Sequence, residues 1–368
     1  MKSLPNALLS AVLLLSFSPV FGACTDPEQP LPEEPKPEII VAETGLYPNQ
    51  ILTDDKYGYI VNSGDNAIQR FLLSDPSQSE PAFIDLGQNQ NPYSMVLNGD
   101  RLFIVNLLGN NVTIAKKDGT IEKAITSDLF DSPEFAIWTG RYLIVTNTQY
   151  SLSYTEPSWG NLVVIQYPDT QPEFHTVKTS CNNPQYITHY YDTIIVISSG
   201  GLDYANGIST PTSDGCVDFF DADSIFTADA PSATLRLSPM GLVGNPGTVA
   251  IADDVLYIGS GTSSVVFTAD LKSRTWINGI SNYIRLSSDP NVNGMVTLAS
   301  LPDGTVYAAD FNADKLHKIS AGLTVPIETI SLNDEPDLLL GVNSLATDAH
   351  NNLYLLNSLQ RTVSRILR

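Results

Sequence analysis

Short apolar runs alternate with polar turns along most of this chain, and the alternation itself repeats. Each unit opens on Pro or Asn and runs into an apolar strand. A polar turn follows, then a second strand that ends on a small polar residue. The openings fall at Pro48, Pro92, Pro133, Pro184, Pro246, Asn293 and Asn343. The second strands read Tyr59-Ile60-Val61-Asn62, Phe103-Ile104-Val105-Asn106, Ile144-Val145-Thr146-Asn147 and Ile195-Val196-Ile197-Ser198. Three more follow at Tyr257-Ile258-Gly259-Ser260, Tyr307-Ala308-Ala309-Asp310 and Tyr354-Leu355-Leu356-Asn357. Copies recur every ~40–60 residues, in the range of four-stranded propeller blades.

Third strands are expected at Ala67 to Leu72, Val112 to Ala115 and Leu316 to Ile319. Asn98-Gly99, Asp118-Gly119 and Asp303-Gly304 supply hairpin turns, where Asn and Gly take positive φ without strain. The seventh copy ends at Arg368 with three strands and no fourth. A spare strand, Glu38 to Ala42, lies just before the first copy, and its pairing with the last blade would close the ring and remove an open edge. The expectation is an all-β, seven-bladed propeller of four-stranded antiparallel blades, sealed by an N-terminal strand.

The second strands resemble those of the YVTN-repeat, surface-layer-type propellers of bacterial exported lipoproteins, over about residues 43–368. Blades four to six depart from Tyr-Val-Thr-Asn. The resemblance implies the fold more than an activity, because propellers host many unrelated ones.

The first residues are of a different kind. Lys2 precedes an apolar stretch, Ala7 to Phe21, that is too short to span a bilayer and reads as the core of a signal peptide over residues 1–23. Phe21-Gly22-Ala23-Cys24 resembles a bacterial lipobox, with Cys24 as the lipidated residue; the alternative is ordinary cleavage near Gly22 or Ala23. Residues 24–37 are acidic and Pro-rich, an extended spacer with roughly 40 Å of reach. Residues 38–368 are the propeller. With Cys24 lipidated, Cys181 and Cys216 remain as a candidate disulfide in an oxidising compartment. The expected location is the bacterial envelope, on an outer membrane, facing either side.

Composition narrows the partners. The 368 residues carry 19 Lys and Arg against 40 Asp and Glu, a formal net charge of -21. A surface this negative repels phosphate backbones and anionic headgroups, so nucleic acid is excluded and any membrane contact runs through the lipid.

Two connections between second and third strands are enlarged, from Asn147 to Leu162 and from Ser198 to Cys216. They fall in adjacent blades and carry Tyr150, Tyr154, Trp159 and Tyr204. Tyr47, Tyr93 and Tyr186 sit beside strand openings on the same face. Aromatic side chains there offer flat apolar area with a polar tip for a ligand; they equally serve to pack the loops on one another. The second-strand ends, including Asn106 and Asn147, form a polar ring that either contacts a ligand or stabilises turns. Catalytic signals are thin, and no cofactor is expected. Asp310-Phe311-Asn312-Ala313-Asp314 matches half of a calcium loop, which fails at Lys315 and Ala321.

The leading expectation is a binding propeller for a small molecule or an envelope protein. Some lipid-anchored propellers of this architecture bind cobalamin and pass it to an outer-membrane transporter, a likeness of anchor and architecture. The alternatives are a lactonase-type hydrolase with calcium held by Asp65 and Asp310, and an adhesion or scaffold protein.

Overall fold

The computed structural model describes residues 38–149, 159–203, 210–237, 246–289, 294–333 and 338–367. The described residues form seven antiparallel blades with four strands each in the main path, one of them with a short fifth strand, and a separate two-stranded ribbon of Leu202–Asp203 with Thr210–Pro211; their one helical turn is a 3-10 turn at Ile225–Thr227. The innermost strands are Pro48–Thr53, Pro92–Asn98, Pro133–Trp138, Pro184–Tyr190, Pro246–Ala252, Val296–Ser300 and Val342–Thr347. Each touches the next in that order and the seventh touches the first, so the ring is closed. The seal is Glu38–Glu43, which pairs antiparallel with Thr362–Ile366 as the outer strand of the seventh blade.

The second strands explain why the repeat is so audible in the sequence. All six residues of Tyr142–Asn147 are buried, as are five of six in Tyr57–Asn62. A strand covered on both faces by neighbouring blades reads as a continuous apolar run rather than an alternation. The core is accordingly divided. Seven apolar clusters form, one at each interface between neighbouring blades. In the fifth blade the departure from the repeat has a steric reason. A Cβ on Gly259 would lie 2.3 Å from the Val296 carbonyl oxygen, so the inner strand of blade six approaches too closely for any side chain.

Expected and observed strands agree closely, with some differences. The third strand of blade two runs Asn111–Lys116 and that of blade six Lys315–Ile319, one or two residues longer than the apolar runs alone. The sixth opening, Asn293, lies outside the described residues, and its strand starts at Val296; the seventh starts at Val342. Blade five gains a fifth strand, Ile284–Arg285, against Val265–Val266. Cys24, Tyr150, Tyr154 and Tyr204 lie outside the described residues.

Antiparallel register fixes which loops share an end of the ring. Pro48 lies opposite Asn62, Pro92 opposite Asn106, Pro133 opposite Asn147 and Pro184 opposite Ser198. Inner-strand starts therefore share one end, the connector end, with the second-to-third connections. The tight first-to-second and third-to-fourth turns occupy the other, the turn end.

Candidate functional site at the channel mouth

Just past each opening residue the ladder slips. In six of the seven blades a bulge follows the first inner-strand pair, and only blade six lacks it. A bulge adds a residue on one strand and re-aims its side chain. Repeated around a ring, it places consecutive inner-strand residues at the central channel, where strict alternation would offer every second one.

These residues line a cavity of about 350 Å³ at the connector end, within the size range of small-molecule sites. One wall is aromatic. The Phe135 ring lies 5.5 Å from Tyr93, edge-on, and 4.4 Å from Tyr186, which joins blades two, three and four in one row. Phe311, from the second-to-third connection of blade six, and Met295 add apolar surface elsewhere on the rim. Burial pushes the Tyr186 phenol up to about 12, so its hydroxyl stays protonated at neutral pH. The rest of the lining is polar and uncharged, with the exception of Glu134, which is only 1% exposed.

Several polar lining groups hold the wall itself. Met95 N–H donates to Gln50 Oε1 at 2.7 Å, Leu298 N–H donates to Thr248 Oγ1 at 2.8 Å, and Ile51 N–H donates to Ser344 Oγ at 3.2 Å. Ser94 Oγ donates to the Glu134 carbonyl at 2.6 Å, and Asn343 Nδ2 to the Pro48 carbonyl at 2.7 Å. Each bond crosses from one inner strand to the next, so the mouth is laced shut in a fixed shape. Preorganisation of this kind lowers the ordering cost of binding. Asn343 Oδ1 is buried behind the lining without a hydrogen-bond partner.

The structure brings Tyr93 and Tyr186 together through Phe135, and it gives Asn106, Asn147 and Trp159 partners of their own. Asn106 is fully buried, and its Nδ2 donates to Asn111 Oδ1 at 2.7 Å and Thr113 Oγ1 at 2.9 Å. Asn147 Oδ1 accepts from Asp131 N–H at 2.7 Å while Nδ2 donates to the Leu129 carbonyl at 3.0 Å. The second-strand ends thus fasten their own connections. Trp159 is 8% exposed; its backbone N–H donates to Asn182 Oδ1, and its ring comes within 3.1 Å of where a Cβ on Gly201 would sit. That contact brings the described parts of the two enlarged connections together at the same end. Cys181 and Cys216 are disulfide-bonded beneath them, with Cα atoms 5.9 Å apart.

The two acidic residues expected for calcium are not gathered. Asp65 is exposed and its Oδ2 accepts from Leu46 N–H, whereas Asp310 is buried in blade six, with the whole of blade seven between them. Among the described residues no three His, Cys, Asp or Glu side chains come within reach of one ion. Burial pushes the Asp310 carboxyl above the usual carboxylate range, against the Ser264 hydroxyl, the Asn312 N–H and Lys315.

Sequence reasoning missed Glu134, Phe135, Met295, Phe311 and Asn343. The signal that could have found the inner-strand members is the opening residue itself, since each follows it closely or, for Asn343, was taken for it. A second hollow of about 480 Å³ runs along the closure seam between Val41–Gly45 and Pro76–Pro81, and its lining holds no aromatic ring.

No family model matches the chain, and no curated protein matches it. Solved structures do. A streptogramin B lyase superposes with a TM-score of 0.65 at 9% identity, over 89% of this chain and 95% of its own. The Pan2 WD40 domain of Neurospora crassa gives 0.63 at 11%, over 90% and 95%. A catalytically inactive histidine-to-alanine variant of virginiamycin B lyase from Staphylococcus aureus, solved with quinupristin, gives 0.64 at 11%, over 90% and 98%. At such identities the likeness shows the fold, and the fold is a seven-bladed β-propeller.

Proposed function

We propose that this chain is an exported, lipid-anchored binding propeller of the YVTN-repeat kind, whose small-molecule ligand sits in the channel mouth at the connector end. One observation carries the binding reading: a preshaped cavity of about 350 Å³ that combines a three-ring aromatic wall with neutral hydrogen-bonding groups and one carboxylate. Aromatic surface supplies apolar burial, and the few polar groups fix orientation, which is the usual division of labour in ligand pockets. Export and anchoring rest on the lipobox-like Phe21-Gly22-Ala23-Cys24 and on the Pro-rich spacer that follows it. Lyase chemistry is not carried over from the neighbours, whose likeness is one of fold. Envelope partners, an outer-membrane transporter included, would meet the same connector end.

The test is a thermal-shift screen of the full chain against a metabolite library, repeated on Tyr93→Ala. Hits should bind the parent about tenfold or more tightly than the variant, as removal of a central aromatic contact does. Ligands that bind both proteins equally would place the site elsewhere and overturn the reading.

A further inference from the structure

We infer that the ligand of this cavity is an uncharged flat ring with one amide-type edge, a ring carbonyl beside a ring N–H, and that Gln185 and Tyr186 of blade four read that edge. The inference rests on the channel-mouth reading above and names its ligand class.

The bulge after Pro184 brings two consecutive residues, Gln185 and Tyr186, into the lining. Elsewhere around the mouth the matching polar side chains are committed to the wall. Asn49 and Asn343 follow the first inner-strand residue of blades one and seven as Gln185 follows Pro184, and their Nδ2 groups donate to Ser63 Oγ and the Pro48 carbonyl. Gln50, Thr248 and Ser344, one residue further on, accept from inner-strand N–H groups of the next blade. Blade four departs from this pattern. Among the described residues the Gln185 amide and the Tyr186 hydroxyl have no hydrogen-bond partner, and both residues are part-buried in the lining.

A partly dehydrated polar group without a partner carries a cost that a ligand bond removes. The pair offers a phenol O–H and an amide N–H as donors, with Gln185 Oε1 as acceptor. Those groups complement a carbonyl and an N–H side by side, the kind of edge that a carboxamide side chain reads bidentately on a nucleobase. The pair adjoins one end of the Tyr93–Phe135–Tyr186 row, which spans three blades. The ligand's polar edge therefore sits beside a broad apolar face. A polyol, polar all round, would bring hydroxyls against the rings; a flat ring with a single polar edge suits both surfaces.

Charge is not asked for. Glu134 is the one charged residue of the lining; it is 1% exposed, has a partner of its own, and its Oε2 is closed to solvent. An ion entering here would shed water without meeting a counter-charge, which costs more than neutral hydrogen bonds offset.

Calorimetric titration of the full chain with three flat bicyclic probes tests this: 2-quinolinone, which carries the edge, N-methyl-2-quinolinone, which lacks the N–H, and 2-naphthoate, an anion at pH 7. The first should bind about tenfold more tightly than its N-methyl derivative, and 2-naphthoate most weakly. Two variants separate the edge from the bulk of the methyl group. Gln185→Met keeps the length, removes the amide and should bring the two quinolinones within about twofold of one another. Tyr186→Phe removes a hydroxyl that has no partner among the described residues, and should weaken both about fivefold because both keep the carbonyl. The amide edge is overturned if the parent binds the two quinolinones equally, if the advantage survives Gln185→Met, or if Tyr186→Phe loses nothing. Binding of 2-naphthoate as tight as that of 2-quinolinone overturns it too, as does binding by none of the three. The cavity is judged separately by Tyr93→Ala: library hits that lose affinity in that variant leave the channel-mouth reading standing even where the edge falls.

Discussion

The two ends of the ring are built from different chemistry. At the turn end, six ion pairs among the described residues bridge neighbouring turns and strands, among them Lys117–Asp54 at 2.8 Å and Arg101–Asp169 at 2.6 Å. Three carboxylates there, Asp54, Asp118 and Asp270, are held below their ordinary range. Burial raises Asp54, but its bonds to Lys117, Tyr57 and Lys56 outweigh that, and backbone N–H groups of their own turns lower Asp118 and Asp270. At the connector end the work passes to neutral amides, a disulfide and rings, and the carboxyl of Asp310 is shifted the other way by burial. Screened ion pairs and tight turns close the ring cheaply at one end. The other end is free to hold buried polar atoms and aromatic surface, which weaken a fold but suit a ligand. Ionic cohesion and capture are thus separated along the channel axis.

The largest test of that separation is the disulfide. It closes a loop of 35 residues in the blade that carries one of the enlarged connections. Chain entropy assigns such a crosslink about 4 kcal/mol. Cys181→Ser with Cys216→Ser should lower unfolding free energy by about that amount in urea melts, and hydrogen exchange should quicken first in residues 181–203 and 210–217. Exchange that quickens equally in the hairpin turns of blades one and two would show that the two ends open as one unit.

Acid comes next. His317 lies between the ends, in the third strand of blade six; it is 1% exposed and donates to or accepts from Thr329 Oγ1 at 2.9 Å. Burial, with a smaller push from Lys315, lowers its pKa from 6.5 to about 4. The folded form thus resists a proton that the unfolded chain accepts. Its stability contribution is complete above pH 6.5 and falls as pH drops from 6.5 to about 4, a loss of about 3 kcal/mol. The turn-end carboxylates, shifted downward, add to the loss only below that window. His317→Gln should flatten the profile between pH 6.5 and 4 whatever its absolute stability. A limb that persists in the variant would move the acid sensitivity to the ends.

Legibility in the sequence follows the same division. The fold was readable because each second strand is covered on both faces, so Tyr59 to Asn62 and its six counterparts stand out as unbroken apolar runs. The closing strand was readable from a deficit, three strands in the last unit and one to spare. The mouth was only half readable. Tyr93 and Tyr186 were visible as aromatics beside an opening Pro. Glu134 and Phe135 were not, because a period of two allows one of a consecutive pair to face the channel, and the bulge that admits both leaves no compositional mark. Asn106 and Asn147 were visible as polar strand ends, readable either as ligand contacts or as turn stabilisers. Their partners, such as Thr113 and Asp131 N–H, are set by local turn geometry that spacing does not reveal.

The smallest effect is the sharpest probe of the separation. Lys117 joins a turn of blade two to Asp54 in a turn of blade one, with 30% and 19% of the two side chains exposed. Asp54 keeps other partners when the lysine is lost: Lys56 and Tyr57 N–H bond Oδ1 at 2.9 and 2.8 Å, and the Tyr59 hydroxyl bonds Oδ2 at 3.1 Å. Lys117→Met should therefore cost less than about 1 kcal/mol, with the loss shrinking as salt rises. The stability it removes belongs to a carboxylate lowered by its partner, so it is present above pH 3.8 and vanishes as pH falls through the folded value. Ligand affinity at the opposite end should not move, because the two sites share no contact and sit at opposite ends of the strands. A double-mutant cycle of Lys117→Met with Tyr93→Ala, read by calorimetry, should show no coupling beyond error. Measurable coupling would mean that strain crosses the blades from turn to mouth, and the two ends would then have to be treated as one device.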